Sequence, residues 1–440
     1  MNVLGVIAEF NPFHRGHHYL LSTAARECLA DYTIVVMSGN FTQRGEPAIY
    51  DKFIRTRLAL ECGADLVLEM PVAAAAASAQ DFARCGVALL SATGVVTHLS
   101  FGCENDDLPL LQDLAGLLAM EPAAYKDSLK DALKNGASWP AARSQALVRL
   151  LCGKDGAGRF MPPSGANNIS EEILTAFLKQ PNNILALEYL MALQSPRLPG
   201  SRQITPLPIR RVHAGYHDQS LEAPICSASA LRHGILGGLP PENYLTKFPD
   251  LIQPQMRRLI AAKIPMEASD FSQALGYRLL TLPEGTLTTY LDVDEDLSRR
   301  IENQRNDFTG FEAFCDLLCT RTYTRTRLSR ALMHILLGIE ASHREALIQT
   351  CYAPYLRILG FRRASAPLLS AIKAAAFLPI ITRPALAMRQ PQTLWPALQG
   401  QAAHRLFSLD VQASDIYRSV YSVKSGQAGV HEFQQKIVIV

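Results

Sequence analysis

Two histidines near the N-terminus have the types and spacing that suit phosphate chemistry. His14 and His17 lie three residues apart, with Gly16 between them. Imidazole N–H groups can donate hydrogen bonds to nucleotide phosphates while charge shifts onto a leaving pyrophosphate, and nucleotidyl transfer needs little beyond such positioning and charge stabilisation. Gly16 would let the backbone approach a ligand closely. The pattern predicts a nucleotide site with His14 and His17 as catalytic donors; the alternative interpretation is a pair of surface or capping histidines.

A second group of polar residues lies much later in the chain. Ser227 and Ser229 precede Arg232 at a predicted helix start, and hydroxyls followed by a guanidinium can hold the outer phosphates of a nucleotide. The alternative is an ordinary helix N-terminus with a surface arginine. Lys52 is a further candidate phosphate ligand because it follows the loop after the second predicted strand, although a solvated helix face explains this lysine equally well.

The elements that would position these residues repeat at intervals of about 30 residues, the length of a βα unit. Apolar runs of strand length cover residues 3–8, 33–37, 66–68 and 97–101, and helical patterns fill residues 18–29, 51–62 and 80–92. Runs that are apolar on both faces are typical of strands in a parallel sheet. We therefore predict an α/β fold with a doubly wound parallel sheet, which binds ligands at the carboxyl ends of its strands. The two histidines follow the first of these strands.

The rest of the chain is predicted to be mostly helical. Residues 105–200 contain helical patterns and a loop at 153–168, a further strand is expected near 204–212, and no strand pattern is visible after about residue 240. The usual glycine-rich phosphate motifs are absent from the sequence. Cys315 and Cys319 lack a second pair of ligands, so the sequence predicts no metal site.

The composition excludes several classes of protein. The chain has 440 residues, of which 48% are hydrophobic and 19% charged, with a net charge of +3, so wholesale disorder is excluded. No stretch reaches the roughly 18 uninterrupted apolar residues of a membrane span, and the N-terminus lacks the pattern of a signal peptide. An odd number of scattered cysteines, nine in all, suggests reduced thiols. We therefore predict a cytoplasmic protein without a membrane partner.

Several long strings resemble the tRNA(Met) cytidine acetate ligase family, which has the HxGH nucleotidyltransferase fold. They are GVIAEFNPFHRGHHYLL (5–21), VVMSGNFTQRGEPAIYDKFIRTRLAL (35–60), GADLVLEMP (63–71), FGCE (101–104), NNILALEYLMAL (182–193), IRRVHAGYHD (209–218), SASALR (227–232), RTYTRTRLSRALMHILL (321–337) and PYLRILGF (354–361). Because the strand pattern ends at about residue 240, we predict a nucleotidyltransferase-like domain over residues 1–240, in which the resemblance implies that ATP activates acetate. We also predict a separate, mainly helical and basic domain over residues 241–440 that binds tRNA.

The resemblance also implies a reaction in two steps. ATP and acetate would give acetyl-adenylate and pyrophosphate, and the acetyl group would then pass to N4 of the wobble cytidine of elongator tRNA(Met), giving N4-acetylcytidine. Acetate itself, rather than acetyl-CoA, is the acyl donor in this family. ATP would serve as a substrate together with Mg²⁺, and no permanently bound cofactor is implied. Two alternatives remain at this point: a nucleotidyltransferase that acts on a small phosphate ester, and a non-catalytic RNA-binding protein.

Site residues can be carried over from the family motif by motif. The implied ATP-binding residues are Ile7, Ala8, Glu9, Phe10, Asn11, Pro12, Phe13, His14, Arg15, Gly16, His17, His18, Tyr19, Leu20, Gly102, Asn182, Arg210 and Arg211. Arg15 occupies a position where asparagine is expected more often in the family. The arginine would direct a cation towards the phosphates. Asn182 could instead cap the helix that follows it, and Arg211 could be an ordinary surface arginine.

An arginine-rich segment suggests how the chain would meet RNA. Residues 321–363 contain eight arginines and two glutamates, a local balance of +6 in a chain whose total is +3. Such a patch is the electrostatic footprint of a protein that contacts a phosphate backbone. The alternative is a solvated basic face. The predicted tRNA-binding residues are Arg321, Arg325, Arg327 and Arg330.

Overall fold

The computed structural model describes residues 1–152, 170–198, 200–211, 221–389 and 398–440. The predicted loop at 153–168 lies outside the described residues, as do the last residue of the strand predicted near 204–212 and most of the 209–218 string. The rest of the predicted fold can be compared with the structure directly.

One mixed sheet forms the centre of the molecule. Its strands are β1 (Val3–Ala8), β2 (Tyr32–Ser38), β3 (Leu66–Met70), β4 (His98–Cys103), β5 (Thr205–Arg210), β6 (Leu356–Phe361), β7 (Ile380–Ile381) and β8 (Val438–Ile439). The strand order is β5-β4-β1-β2-β3-β6-β7, and β8 pairs with β6. Strands β1 to β5 are parallel to one another, whereas β6 is antiparallel to β3.

The order of the parallel strands places a ligand-binding crevice beside β1. The chain runs from β1 outwards to β2 and β3, and then returns to the other side of β1 to form β4 and β5. In a doubly wound sheet such a reversal opens a crevice at the carboxyl ends of the two strands that flank it. The predicted doubly wound α/β fold is therefore confirmed, and the loop after β1 lies at this crevice.

Helices cover both faces of the sheet. They are α1 (Arg15–Glu27), α2 (Lys52–Glu61), α3 (Val72–Ala75), α4 (Ala79–Ala92), α5 (Leu108–Met120), α6 (Ala123–Lys134), α7 (Trp139–Cys152), α8 (Glu171–Leu178), α9 (Pro181–Gln194), α10 (Ala228–Leu236), α11 (Gln253–Ala262), α12 (Ser272–Thr281), α13 (Glu295–Gln304), α14 (Phe311–Leu318), α15 (Arg325–Leu337), α16 (Ala341–Gln349), α17 (Ala366–Ala375), α18 (Pro384–Arg389) and α19 (Leu398–Ser425). Short 3₁₀ turns link several of them. Within the described part of the chain, no helix is both long and apolar enough to cross a membrane.

Alternate residues of the central strands bury opposite faces of the sheet. In β1, Val3 and Ile7 belong to one apolar core, whereas Leu4 and Val6 belong to the other. This alternation follows from the two-residue period of a strand, and burial of both sets explains why the sequence is apolar throughout. Helices α4, α5 and α9 pack on the first face, and α1, α2 and α10 pack on the second. The two cores hold the carboxyl ends of the strands in fixed positions.

Strands from the second half of the chain complete the sheet. β6 pairs with β3 with residues 66 and 361 in register, and β7 and β8 both pair with β6. The expectation that strands would end at about residue 240 is therefore wrong. The predicted division into domains at 240/241 stays a prediction, but the central sheet draws strands from both sides of that boundary.

Candidate active site

A cavity of about 290 Å³ opens at the crevice predicted by the strand order. Its walls come from the end of β1 and the loop after it, from Gly102 in β4, from Arg210 and Arg211 at the end of β5, and from the first turns of α9 and α10. Residues far apart in the sequence therefore meet there. The predicted site residues that line it are Ile7, Ala8, Glu9, Phe10, Asn11, His14, Gly16, His17, Tyr19, Leu20, Gly102, Asn182, Arg210, Arg211, Ser227, Ser229 and Arg232.

His14 caps the helix that carries His17. The backbone N–H of Gly16 donates to Nδ1 of His14 at 2.9 Å, and His14 is the N-cap of α1. With Nδ1 acting as an acceptor, the imidazole proton lies on Nε2, which is left as a donor. A Cβ on Gly16 would lie 2.8 Å from Cε1 of His14. A side chain at residue 16 would therefore displace the His14 ring. The sequence alone did not reveal this requirement for glycine.

The two histidines are held as neutral rings. Burial, together with the positive charges of Arg211 and Arg232, lowers the pKa of His14 to about 3. Burial and the adjacent His14 lower the pKa of His17 well below its usual value. Phe10 supports the His17 ring edge-on at 4.9 Å between centroids. Nδ1 of His17 is buried and has no hydrogen-bond partner among the described residues, so this polar atom is left for a ligand.

Arginines give the cavity a positive character. Arg44, Arg210, Arg211 and Arg232 all line it. Arg232 donates from Nη1 to the backbone oxygen of Asn11 at 2.8 Å and lies 3.6 Å from the carboxylate of Glu46. Burial lowers the pKa of Arg211, while the nearby Glu104 raises it. These cations can compensate the charge of a polyphosphate.

The first turn of α10 matches both interpretations of its sequence. Ser227 is the N-cap, and its hydroxyl accepts a hydrogen bond from the backbone N–H of Ala230 at 3.0 Å. Ser229 accepts a hydrogen bond from Arg232 at 3.4 Å. The N-termini of α1 and α10 therefore both face one cavity, and their N–H groups and dipoles favour anions there.

Asn182 is positioned by an acidic residue rather than by capping. The helix begins at Pro181 with Gln180 as its N-cap, so the alternative that Asn182 caps α9 is wrong. Nδ2 of Asn182 donates to Oε1 of Glu104 at 2.6 Å, and the backbone N–H of Asn183 donates to Oε2 of the same carboxylate at 3.0 Å. Glu104 thereby ties the end of β4 to the start of α9, and Asn182 faces the cavity from there.

Five predicted nucleotide ligands lie outside the cavity lining, namely Pro12, Phe13, Arg15, His18 and Lys52. Arg15 donates to the backbone oxygen of Thr246 at 2.6 Å and to Asp250 at 2.7 Å. The expectation that it directs a cation towards the phosphates is therefore wrong. His18 is exposed on α1, whereas Phe13 is buried in an apolar core.

Lys52 belongs to a buried ion cluster instead. Its Nζ lies 2.6 Å from Glu69 and 2.9 Å from Glu432, and Arg357 pairs with the same two carboxylates. All four side chains are almost completely buried. Lys52 therefore neutralises buried carboxylates, and the structure does not support the predicted phosphate-binding role.

Arg55 holds the loops that carry the site. It is fully buried and donates to four backbone oxygens, those of Glu9, Ser38, Gly39 and Tyr50. These oxygens lie at the ends of β1 and β2 and in the loops that follow. A guanidinium has five N–H donors in a fixed plane, which suits this arrangement.

Sequence reasoning assigned no role to the loop after β2. Thr42, Gln43, Arg44 and Glu46 all line the cavity, although they belong to one of the longest strings that carried the resemblance. The backbone N–H of Gln43 donates to Oε1 of Glu9 at 2.7 Å. The length of the matching string at residues 35–60 could have indicated this role, because the string continues from the second strand into the loop that lines the cavity.

The four predicted tRNA-binding arginines lie on α15 and in the turn before it, and none of them is part of the cavity lining. Arg325 pairs with Glu312 and Asp316. Arg327 lies 2.6 Å from Asp294, and Arg330 lies 3.0 Å from Asp292. Carboxylates from neighbouring elements therefore offset much of the local charge of +6. Arg321 is exposed and forms no ion pair with the described residues.

Potential metal ligands are scattered over the part of the chain that the structure describes. The described residues contain no group of three or more His, Cys, Asp or Glu side chains that could hold a metal ion. Glu9 and Glu46 are the carboxylate residues among the described lining of the cavity.

Known proteins are similar to this chain over almost its whole length. A family model described as HIGH Nucleotidyl Transferase matches residues 1–431. The tRNA(Met) cytidine acetate ligase of Acetivibrio thermocellus is 34% identical over 448 residues and is covered over 100% of both chains. The enzyme of the same name from Syntrophomonas wolfei is 36% identical over 423 residues, which cover 96% of this chain and 95% of the relative.

Solved structures show the same architecture. The apo crystal structure of Thermotoga maritima TmcAL superposes with a TM-score of 0.89 at 31% identity. A second crystal structure of that protein, bound with alpha-thio ATP, gives a TM-score of 0.87 at 30% identity. Both matches cover 100% of each chain. A protein with this fold therefore binds an ATP analogue.

Proposed function

The chain belongs to the tRNA(Met) cytidine acetate ligase family of HIGH nucleotidyl transferases, and from this premise we propose the reaction that it catalyses. An oxygen of acetate attacks the α-phosphorus of ATP, and pyrophosphate leaves. N4 of the wobble cytidine of elongator tRNA(Met) then attacks the carbonyl carbon of acetyl-adenylate, and AMP leaves. The products are N4-acetylcytidine in the tRNA, AMP and pyrophosphate.

The contact between His14 and His17 carries this proposal. Both rings line the cavity, both are neutral because burial lowers the pKa of each, and Nδ1 of His17 lacks a partner among the described residues. Neutral N–H donors that are already in position can stabilise charge on a leaving pyrophosphate without reorganisation. If the two histidines served only as surface or capping residues, the buried and unpartnered Nδ1 of His17 would have no explanation.

We further propose that arginines and helix N-termini bind the triphosphate. Arg211 and Arg232 both line the cavity, Arg211 directly after β5 and Arg232 on α10. The free N–H groups of α1 and α10 add donors for the phosphate oxygens. Gly102 at the end of β4 leaves room for adenine or ribose, because a Cβ there would approach only Arg211, at 3.4 Å.

Mg²⁺ is proposed to enter with the nucleotide. Mg²⁺ keeps several waters and is commonly held by phosphate oxygens and one or two carboxylates rather than by a cage of protein ligands. Glu46 fits this requirement as a carboxylate that lines the cavity. When bound, the ion would neutralise charge on the phosphates.

The acceptor is proposed to contact the helical half of the chain. Arg321 is an exposed cation of the arginine-rich segment that forms no ion pair with the described residues, and Arg325, Arg327 and Arg330 could exchange their carboxylate partners for phosphates when RNA approaches. Because a tRNA is the proposed substrate, we place the activity in the cytoplasm.

Radiolabelled pyrophosphate and labelled acetate test the proposal directly. ATP–pyrophosphate exchange should require acetate, and labelled acetate should appear on a cytidine of elongator tRNA(Met) when ATP and tRNA are both present. Acetylation supported by acetyl-CoA without ATP would contradict the ligase reaction. Exchange that depends on a small phosphate ester instead of acetate would favour the alternative nucleotidyltransferase.

A further inference from the structure

A carboxylate within the cavity has no role in the chemistry described so far. Glu9 follows β1 and lines the cavity together with His14 and His17. Its Oε1 accepts a hydrogen bond from the backbone N–H of Gln43 at 2.7 Å. Its Oε2 accepts no hydrogen bond from the described residues, and this oxygen is not fully enclosed by protein atoms. Oε2 is therefore accessible to a ligand in the cavity.

We propose that Glu9 is the general base of acetyl transfer, which rests on the function proposed above. N4 of cytidine forms a bond to the carbonyl carbon of acetyl-adenylate, and the bond from that carbon to the AMP oxygen breaks, with its electron pair leaving on AMP. The amine must lose one proton to become an amide. Oε2 of Glu9 accepts this proton and later releases it to solvent.

Other bases along the described cavity lining are already committed or too weak. Nδ1 of His14 accepts from Gly16, and burial lowers the pKa of both His14 and His17. Glu46 lies 3.6 Å from Arg232. Burial raises the pKa of the Tyr189 hydroxyl far above neutral, so this group stays protonated. Among the histidines and carboxylates of the described lining, Glu9 is therefore the group left to act as a base.

The surroundings of Glu9 favour proton acceptance without fixing the carboxylate in an ion pair. Burial raises the pKa of Glu9, and Glu46 raises it further, while the Gln43 N–H and the charges of Arg232 and Arg44 lower it. A carboxylate with a raised pKa binds a proton more strongly, and general bases are most effective when their pKa lies near the working pH. The groups that raise the pKa of Glu9 are therefore partly balanced by groups that lower it, so Glu9 can both accept and release a proton.

A comparison of the two half-reactions tests this assignment. Glu9→Gln removes the base and preserves the size of the side chain, and Glu9→Asp keeps a carboxylate. Chemically prepared acetyl-adenylate is mixed with each enzyme and an anticodon stem-loop, and N4-acetylcytidine is measured in a single turnover. Transfer by Glu9→Gln should fall by about 10²-fold or more, the usual contribution of a general base, whereas Glu9→Asp should recover part of the rate. Acetate-dependent pyrophosphate exchange should fall much less than transfer.

The pH profile and a control variant separate a base from a structural residue. Transfer by the parent should rise with pH as Glu9 ionises, and this rise should be lost in Glu9→Gln. The control variant Glu27→Gln removes an exposed carboxylate of α1 that lies outside the cavity lining, and it should keep the rise. Transfer by Glu9→Gln within a few-fold of the parent, or equal losses in exchange and transfer, would overturn the assignment. A parent enzyme that forms no acetylcytidine would instead overturn the proposed function.

Discussion

The imidazole rings of His14 and His17 lie almost face to face, with centroids 3.8 Å apart and planes inclined by 31°. Two imidazolium ions at this distance would repel each other in a buried environment. The depressed pKa of each ring removes that conflict, because both are neutral at pH 7. The two rings therefore act as neutral hydrogen-bond donors. Because neither ring is charged, their close contact does not destabilise the fold.

Loss of either ring should impair formation of acetyl-adenylate. His14→Asn removes the imidazole but leaves a residue that can still cap α1, and His17→Ala removes the second ring. We expect acetate-dependent pyrophosphate exchange to fall by about 10²–10³-fold in each variant, the usual effect of one lost transition-state donor. The matched variant His18→Ala changes an exposed histidine outside the cavity lining and should retain exchange. Exchange within a few-fold of the parent after loss of His14 or His17 would show that the site is assigned to the wrong residues.

The same burial should make the protein less stable in acid. His14 has a pKa of about 3 in the folded chain and an ordinary value of 6.5 when unfolded. Between these values the unfolded state binds more protons, so the free energy of unfolding falls as the pH drops from about 6.5 towards about 3. Urea denaturation of the parent and of His14→Asn over this range measures the effect. The parent should lose more stability than the variant, and identical pH dependence would contradict the buried neutral ring.

The central part of the fold was predictable because its signals are local. The runs at residues 3–8 and 33–37 are apolar on both faces, and the structure confirms both as strands of the parallel sheet. Asp51 is the first residue of the helical pattern predicted over 51–62, and its carboxylate accepts hydrogen bonds from the backbone N–H groups of Phe53 and Ile54 at 2.8 and 2.9 Å. The strand order then places His14 and His17 at the crevice.

Long-range contacts decided the parts that were not predictable. β7 and β8 are two residues long, and each exists because β6 offers a partner far away in the sequence. The direction of Arg15 depends on Asp250, and the burial of Lys52 depends on Glu432. In both cases the residues next to the cation in the sequence suggest phosphate binding, whereas in the structure the cation pairs with a carboxylate that is distant in the sequence.

Gly102 gives a test of where the nucleotide lies. The change Gly102→Ala adds a methyl group that would meet only Arg211, at the ordinary contact distance of 3.4 Å, so the fold should be retained. If adenine or ribose passes this point, the KM for ATP should rise while the KM for acetate stays near that of the parent. Gly116→Ala is the matched control, since a Cβ there has nothing within 4 Å among the described residues. An unchanged KM for ATP in Gly102→Ala would place the nucleoside elsewhere.

Lys52 should matter for stability rather than for ATP binding. Lys52→Met leaves the carboxylates of Glu69 and Glu432 with Arg357 as their remaining cation. Removal of one member of a buried ion cluster commonly costs about 3–5 kcal/mol, so urea denaturation should show a loss of this size. The folded variant should bind ATP like the parent. Arg232→Met should behave in the opposite way, with a higher KM for ATP and a smaller loss of stability, and the reverse pattern would restore Lys52 to the phosphate site.

Release of Arg325 from its carboxylate partners should strengthen tRNA binding. Glu312→Gln combined with Asp316→Asn removes both partners, and the two acidic side chains are about half or more exposed, so the fold should tolerate the change. A freed guanidinium can contact a phosphate, which should raise the affinity at low salt and steepen the log–log salt dependence by about 0.7–0.9 for each added contact. The combined variant Glu295→Gln and Asp296→Asn makes the same change in net charge beside Arg299 on α13. Equal gains in the two variants would show that only net charge matters, and no gain in the first would show that Arg325 does not contact tRNA.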